Sequence, residues 1–175
     1  MQYDEIIKQC EELFLAKTAD YGTSWRILRL PSLTDQLFIK ASRIRSIEEK
    51  GLQKVGDSIE IEFTGLVNYS LIALIQLSLP EGAPSDLPVE EVKKLYEREA
   101  AVTRELLADK NHDYDEIWRE MRISSITDII LMKLLRIKQI EDNQGKTTVS
   151  EGLAANYRDI LNYAVFALIR VKSGG

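Results

Sequence analysis

The chain repeats itself, and the repeat limits what it can fold into. Residues 17–48 read KTADYGTSWRILRLPSLTDQLFIKASRIRSIE, and residues 110–141 read KNHDYDEIWREMRISSITDIILMKLLRIKQIE. The offset is constant at 93 residues, from Asp20 to Asp113 and from Lys40 to Lys133. Matched residues include Lys17/Lys110, Tyr21/Tyr114, Trp25/Trp118, Arg26/Arg119, Asp35/Asp128, Arg43/Arg136 and Glu48/Glu141. Most are polar or charged, whereas a packing repeat mainly preserves apolar positions, so this set suggests a site made twice. The period is too long for a short-repeat solenoid. It reads as one duplicated module whose halves are related by a pseudo-twofold axis, as in a homodimer.

Each copy has about 80–90 residues, near the size at which a lone core is marginal. Two copies could bury their apolar faces against each other. The formal charge of −5 disfavours a broad electrostatic hold on nucleic acid, while leaving room for a local basic pocket. Cys10 is the only cysteine, so no intrachain disulfide forms, which suits a reducing cytoplasm. The N-terminal residues lack a signal-peptide apolar region. The apolar stretch 66–79 is too short and too polar for a convincing membrane span.

Apolar periodicity predicts a helix over 2–17, marked by Tyr3, Ile6, Ile7, Cys10, Leu13 and Phe14. Residues 18–31 read as a structured connector with one short helical turn. A second helix is expected after Ser32 as N-cap, with Asp35 in its first turn. A third covers 57–77 and is apolar on nearly all sides after Leu66, as befits the centre of a bundle. The run LPEGAPSDLP over 79–88 holds three of the four prolines and is the one clear linker. The pattern then restarts over 89–109, after Ser125, and over 149–171. The third helices align with one inserted residue, Asn68 to Asn162 being an offset of 94. The expectation is an all-α helical bundle of two tandem three-helix modules, 1–78 and 89–172, packed as one body with pseudo-twofold symmetry.

Several repeated groups are candidates for chemistry. Lys40 and Arg43 share a helix face, as do Lys133 and Arg136. The four either form a phosphate-binding pocket or are solvated cations and partners for Asp35, Glu48 and their counterparts. Lys17-Asp20-Tyr21 and Lys110-Asp113-Tyr114, with Trp25 and Trp118, either wrap a nucleotide or plug the bundle end. Glu62 aligns with Asn156 and Gly65 with Asp159, so each module keeps a different acid of an E-x-x-D pair. Glu62 and Asp159 could share Mg²⁺ if the two third helices pack together, with Asp57, Glu60 and Glu151 as further candidates, or these acids simply favour the N-terminal halves of their helices. Asn68 and Asn162 lie in the most apolar helices, where an amide must find partners, either across the axis or on a ligand. His112 has no counterpart and reads as a turn residue, and Cys10 as core. No P-loop, dinucleotide fingerprint, zinc-ligand cluster or nucleophile elbow is present.

The combination K-x-x-D-Y-G-x-S-W, S-L-T-D, K-x-x-R-I and L-x-N-Y-x-x-x-A-L resembles the bacterial and phage nucleotide modification associated domain family, in two tandem copies over nearly the whole chain. The resemblance implies kinship with all-α nucleoside triphosphate pyrophosphatases of MazG-like type. Those helical bundles bind Mg²⁺ through helix-borne acids and release pyrophosphate. The pattern departs where those enzymes carry E-x-x-E, since Lys40 and Arg43 stand there, and the E-x-x-D is split between modules.

The leading expectation is therefore a nucleotide-binding, Mg²⁺-assisted enzyme. Lys40, Arg43, Lys133 and Arg136 would hold phosphates, and Glu62 and Asp159 the metal and the attacking water. Lys17, Asp20, Tyr21, Trp25, Asn68 and their counterparts Lys110, Asp113, Tyr114, Trp118 and Asn162 would line the nucleotide site. The expected partner is a small-molecule nucleotide, with no nucleic acid and no membrane, and further pairing into a homodimer is left open. The alternatives are a non-catalytic nucleotide-binding module and a helical interaction protein whose repeated charges tie the two halves together.

Overall fold

The computed structural model describes residues 2–51, 59–114, 116–147 and 151–174, the side chains of 111–114 excepted. Six helices account for most of them: α1 Gln2–Tyr21, α2 Leu30–Lys50, α3 Ile59–Ser78, α4 Val89–Tyr114, α5 Ile123–Asp142 and α6 Leu153–Lys172. Short 3-10 turns, Ser24–Ile27 and Ile117–Glu120, precede α2 and α5. The described residues contain no strand. Apart from the earlier start of α4, helix boundaries recur within a residue of the sequence offsets, so the repeat is structural as well as sequential.

Several boundaries differ from the periodicity reading. α1 runs on to Tyr21, so Asp20 and Tyr21 form its last turn rather than the connector. Gly22 then takes the left-handed conformation (φ 63°), and its N–H closes on the Thr18 carbonyl at 2.8 Å. α2 starts at Leu30, not after Ser32. Pro31 sits in its first turn, where the missing N–H and fixed φ are no handicap, and the Ser32 N–H is already bonded to the Arg29 carbonyl. α5 likewise starts at Ile123, ahead of Ser125. The expected starts near Asp57 and Val149 lie outside the described residues.

The centre is the packing of α3 on α6, flanked by α2 on α3, α5 on α6, and α2 on α5. α1 packs chiefly against α6 and α4 against α3, so the first helix of each module leans on the last helix of the other. The core explains this. Phe63, Leu66, Val67 and Leu71 on α3 and Ile160, Leu161, Ala164 and Val165 on α6 are all fully buried. α3 is long and apolar enough to cross a bilayer. Here its faces are covered by helices from both modules.

Polar contacts across the axis occur in reciprocal pairs. Tyr3 Oη donates to Asn162 Oδ1 at 2.7 Å, and its counterpart Tyr96 donates to Asn68 Oδ1 at 2.8 Å. Thr34 donates to Glu141 at 3.0 Å, and Thr127 to Glu48 at 3.2 Å. Asp35 faces Lys138 at 3.6 Å, and Asp128 faces Arg45 at 3.9 Å. Part of the repeated polar set, Asp35 and Glu48 with their copies, therefore joins the two modules.

Candidate functional site

Residues from α1, the first 3-10 turn, α2 and α3 enclose a cavity of about 740 Å³, within the range of small-molecule sites. Its lining includes Lys17 and Tyr21 from α1, Trp25 from the turn, Lys40 from α2, and Gly65, Asn68, Tyr69 and Ile72 from α3. The turn is held over α3 by Gln76, whose amide donates to the Leu28 carbonyl at 2.9 Å and the Arg26 carbonyl at 3.1 Å. Arg26 in turn bonds Gln76 and the linker carbonyls of Ala83 and Pro84, so this repeated arginine braces the cavity wall from behind.

The cavity combines cations with aromatic surface. Tyr21 is 72 % exposed and does not plug the bundle. Trp25 packs against Phe14, with centroids 6.4 Å apart. Lys40 lies over the Tyr69 ring at 5.3 Å. It also lies across Gly65: a Cβ there would come within 2.8 Å of Lys40 Cδ and Cε. Among the described residues Lys17 has no ion-pair partner, and the nearest carboxylate oxygen to Lys40 is Glu62 Oε2, at 4.0 Å. The other acid at the rim, Glu60, is paired with Lys172 at 2.5 Å.

The second module contains the matching cavity, shrunk to about 250 Å³. Every residue lining it has its counterpart lining the first: Lys110 for Lys17, Trp118 for Trp25, Lys133 for Lys40, Asn162 for Asn68 and Tyr163 for Tyr69. Five of the ten matched positions differ, and two of the exchanges place larger groups that engage its lining. Phe166 replaces Ile72 and stacks flat on Trp118, with centroids 4.2 Å apart. Asp159 replaces Gly65, and its carboxylate is gripped by Lys133 at 2.9 Å and Lys110 at 3.4 Å. Burial and the neighbouring Asp159 charge raise the Tyr163 phenol above its ordinary range.

The remaining predicted residues fall elsewhere. Glu62, 5 % exposed, pairs with Arg43 at 3.2 Å in its own module. No ion pair or hydrogen bond joins Glu62 to Asp159 among the described residues, and neither of the matched cavities is lined by both. The predicted face of Lys40 and Arg43 thus meets Glu62, an acid of another helix. Arg136 and Lys133 line a third, more open cavity of about 980 Å³, with Lys146, Glu151 and Asn156 in the place of Glu62. Asp20 is exposed and outside the first cavity's lining. The side chains of His112, Asp113 and Tyr114, and Asp57, lie outside the described residues. Asn68 lines the first cavity, but its amide is engaged by Tyr96 and by the Cys10 carbonyl at 3.1 Å. Cys10 is core, and burial pushes its thiol up to about 12.

Among the described residues, Glu62 and Asp159 do not make a donor set that fits Mg²⁺. Glu62 faces Lys40 and Arg43, and Asp159 faces two lysines, so each acid already meets two cations. Among the described residues no three His, Cys, Asp or Glu side chains converge. A hard divalent cation needs several oxygen ligands and net negative charge around it.

Gly65 and Tyr69 were visible in the sequence, in the Gly65/Asp159 mismatch and the repeated Asn-Tyr pair. The first reads as a lost metal ligand until Lys40 is seen lying over it. Nothing in the pattern singled out Ile72 against Phe166.

A family model described as nucleotide modification associated domain 1 matches residues 17–77 and again residues 110–171, together more than half of the chain. Neither the curated proteins nor the solved structures gave a match.

Proposed function

Because the chain belongs to the nucleotide modification associated domain 1 family, with two copies of that domain in tandem, we propose that it binds a nucleotide in the cavity of the first module. The observation that carries this reading is the joint lining of that cavity by Lys17 and Lys40 with Tyr21, Trp25 and Tyr69. Lysines offer point charges to phosphate oxygens. Aromatic faces offer a platform for a base, since every base has a π face. The cavity is large enough for such a ligand and lies on helices and a braced turn, which holds the contacting groups in place.

Binding without hydrolysis is the form of this reading that the electrostatics favour. Pyrophosphate release in the manner of the MazG-like enzymes would need acids free to hold a metal, and both candidate acids are committed to cations. A thermal-shift and calorimetric screen against nucleosides, nucleotides and Mg²⁺, run with and without EDTA, tests the proposal. The expected result is stabilisation by a nucleotide that persists in EDTA, is lost in Lys40→Ala, and comes with no pyrophosphate release. Metal-dependent release that Glu62→Gln abolishes would restore the hydrolase, and absence of binding by every nucleotide would sink the site.

A further inference from the structure

We infer that the first-module cavity takes a nucleoside monophosphate, its single phosphate seated beside Gly65 between Lys17 and Lys40, as the Asp159 carboxylate is seated between two lysines in the second module. This rests on the reading of that cavity as a nucleotide site.

The two modules are two copies of one frame. In the second copy a carboxylate on α6 lies between a lysine of α4 and a lysine of α5, at 3.4 and 2.9 Å. That copy therefore shows what its lysine pair accepts: one compact anionic group with oxygens facing both ammonium groups. In the first copy both lysines recur at the rim of the cavity, but the position of the acid is Gly65. Glycine inside a helix is unfavourable by roughly 1 kcal/mol relative to alanine, so its place in α3 calls for a reason. Here it gives Lys40 room to cross the helix surface where the Asp159 side chain projects in the other module.

Charge sets the ligand class. Lys17 and Lys40 supply two positive charges; Glu62, 4.0 Å from Lys40, is offset by Arg43 at 3.2 Å, and Glu60 at the rim by Lys172. A phosphate monoester carries about −1.5 to −2 at pH 7, which matches the pair. A triphosphate brings further charge that Mg²⁺ ordinarily neutralises, and the acids here do not fit that ion. The second cavity, with Asp159 as a built-in anion and Phe166 stacked on Trp118, is closed to the same ligand. The protein then binds one nucleotide per chain.

Isothermal titration with common nucleosides, their 5′-monophosphates and their 5′-triphosphates, in EDTA, tests this. The expected result is one equivalent of a monophosphate bound, with the matching nucleoside and triphosphate weaker by about tenfold or more. Gly65→Asp should remove binding by placing a carboxylate between Lys17 and Lys40. Its Cβ meets only the flexible Lys40 side chain, and circular dichroism checks the fold. Exposed Lys17→Ala gives an independent arm, weakening the monophosphate but not the nucleoside. Asp159→Gly with Phe166→Ile should raise the stoichiometry to two. A triphosphate bound as tightly as the monophosphate, or a folded Gly65→Asp that binds normally, overturns the inference and leaves the nucleotide reading standing. Failure of all three ligand classes to bind the parent protein overturns both.

Discussion

Replacing Tyr96 with Phe tests whether Asn68 serves the fold or a ligand. Tyr96 is fully buried and Asn68 is 8 % exposed, and the 2.8 Å bond from the Tyr96 hydroxyl to Asn68 Oδ1 crosses from α4 to α3. Burial drives the Tyr96 phenol far above its ordinary range, so the hydroxyl stays a neutral donor. Tyr96→Phe keeps the ring and its contact with Phe14 while orphaning a buried carbonyl, a loss of about 1–3 kcal/mol. For a chain of this length that is a fall of roughly 2–12 °C in melting temperature. Tyr3→Phe removes the reciprocal bond to Asn162 and should fall in the same range. Urea titration gives the free energies, and nucleotide titration of the folded variants gives the affinity, which should stay within about twofold of the parent. A Tyr96→Phe protein that melts with the parent but loses nucleotide binding would refute the reasoning and return Asn68 to the ligand.

Two further predictions use the copies as controls for each other. Glu99 is buried and paired with Arg158 at 3.4 Å, while the first module has Ile6 and Thr64 at the matching positions. Arg158→Thr alone should lose about 3–5 kcal/mol by stranding the carboxylate. Adding Glu99→Ile should recover most of it, and a double-mutant cycle in urea that shows simple additivity would disprove the coupling. Glu48 and Glu141 have raised carboxyl pKa values because burial outweighs their threonine bonds and neighbouring cations. The folded state then holds more protons than the unfolded chain as pH rises from the ordinary carboxyl value of 4.5 through the raised one. Stability contributed by these groups is lost across that window. Glu48→Gln with Glu141→Gln should raise the melting temperature at pH 7 and change it little below pH ~4. An equal shift at both pH values would contradict the assignment.

The architecture was legible because it rests on periodicity. The apolar faces of α1, α2 and α3 and the proline-rich linker are local signals, and the duplication supplied each a second time. The capping residues misled for a local reason as well: Ser32 and Ser125 are good N-caps, but helical backbone two residues earlier was open to Leu30 and Ile123. The partners of the charges were not legible, because pairing depends on how helices far apart in sequence pack. Lys40 and Arg43 were placed on one face correctly, yet the acid they meet, Glu62, comes from α3. Glu62 and Asp159 looked like halves of one metal site in register, while each is held by cations of its own module.

A repeated polar set is weaker evidence of a site than it first looks, and the reason is geometric. Across a twofold axis every contact from residue i to residue j is accompanied by one from the copy of i to the copy of j. A hydrogen bond between modules therefore preserves two residues twice, as Tyr3, Asn162, Tyr96 and Asn68 do here. Interface polarity repeats as faithfully as a binding site would. Function is better sought where the symmetry breaks without loss of the frame. Gly65 against Asp159, and Ile72 against Phe166, are such positions. Lys17, Trp25, Lys40, Asn68 and Tyr69 recur as Lys110, Trp118, Lys133, Asn162 and Tyr163, while these two groups that open or fill the space have changed. That pattern fits a duplicated pocket in which one copy stayed open and the other was sealed by its own side chains.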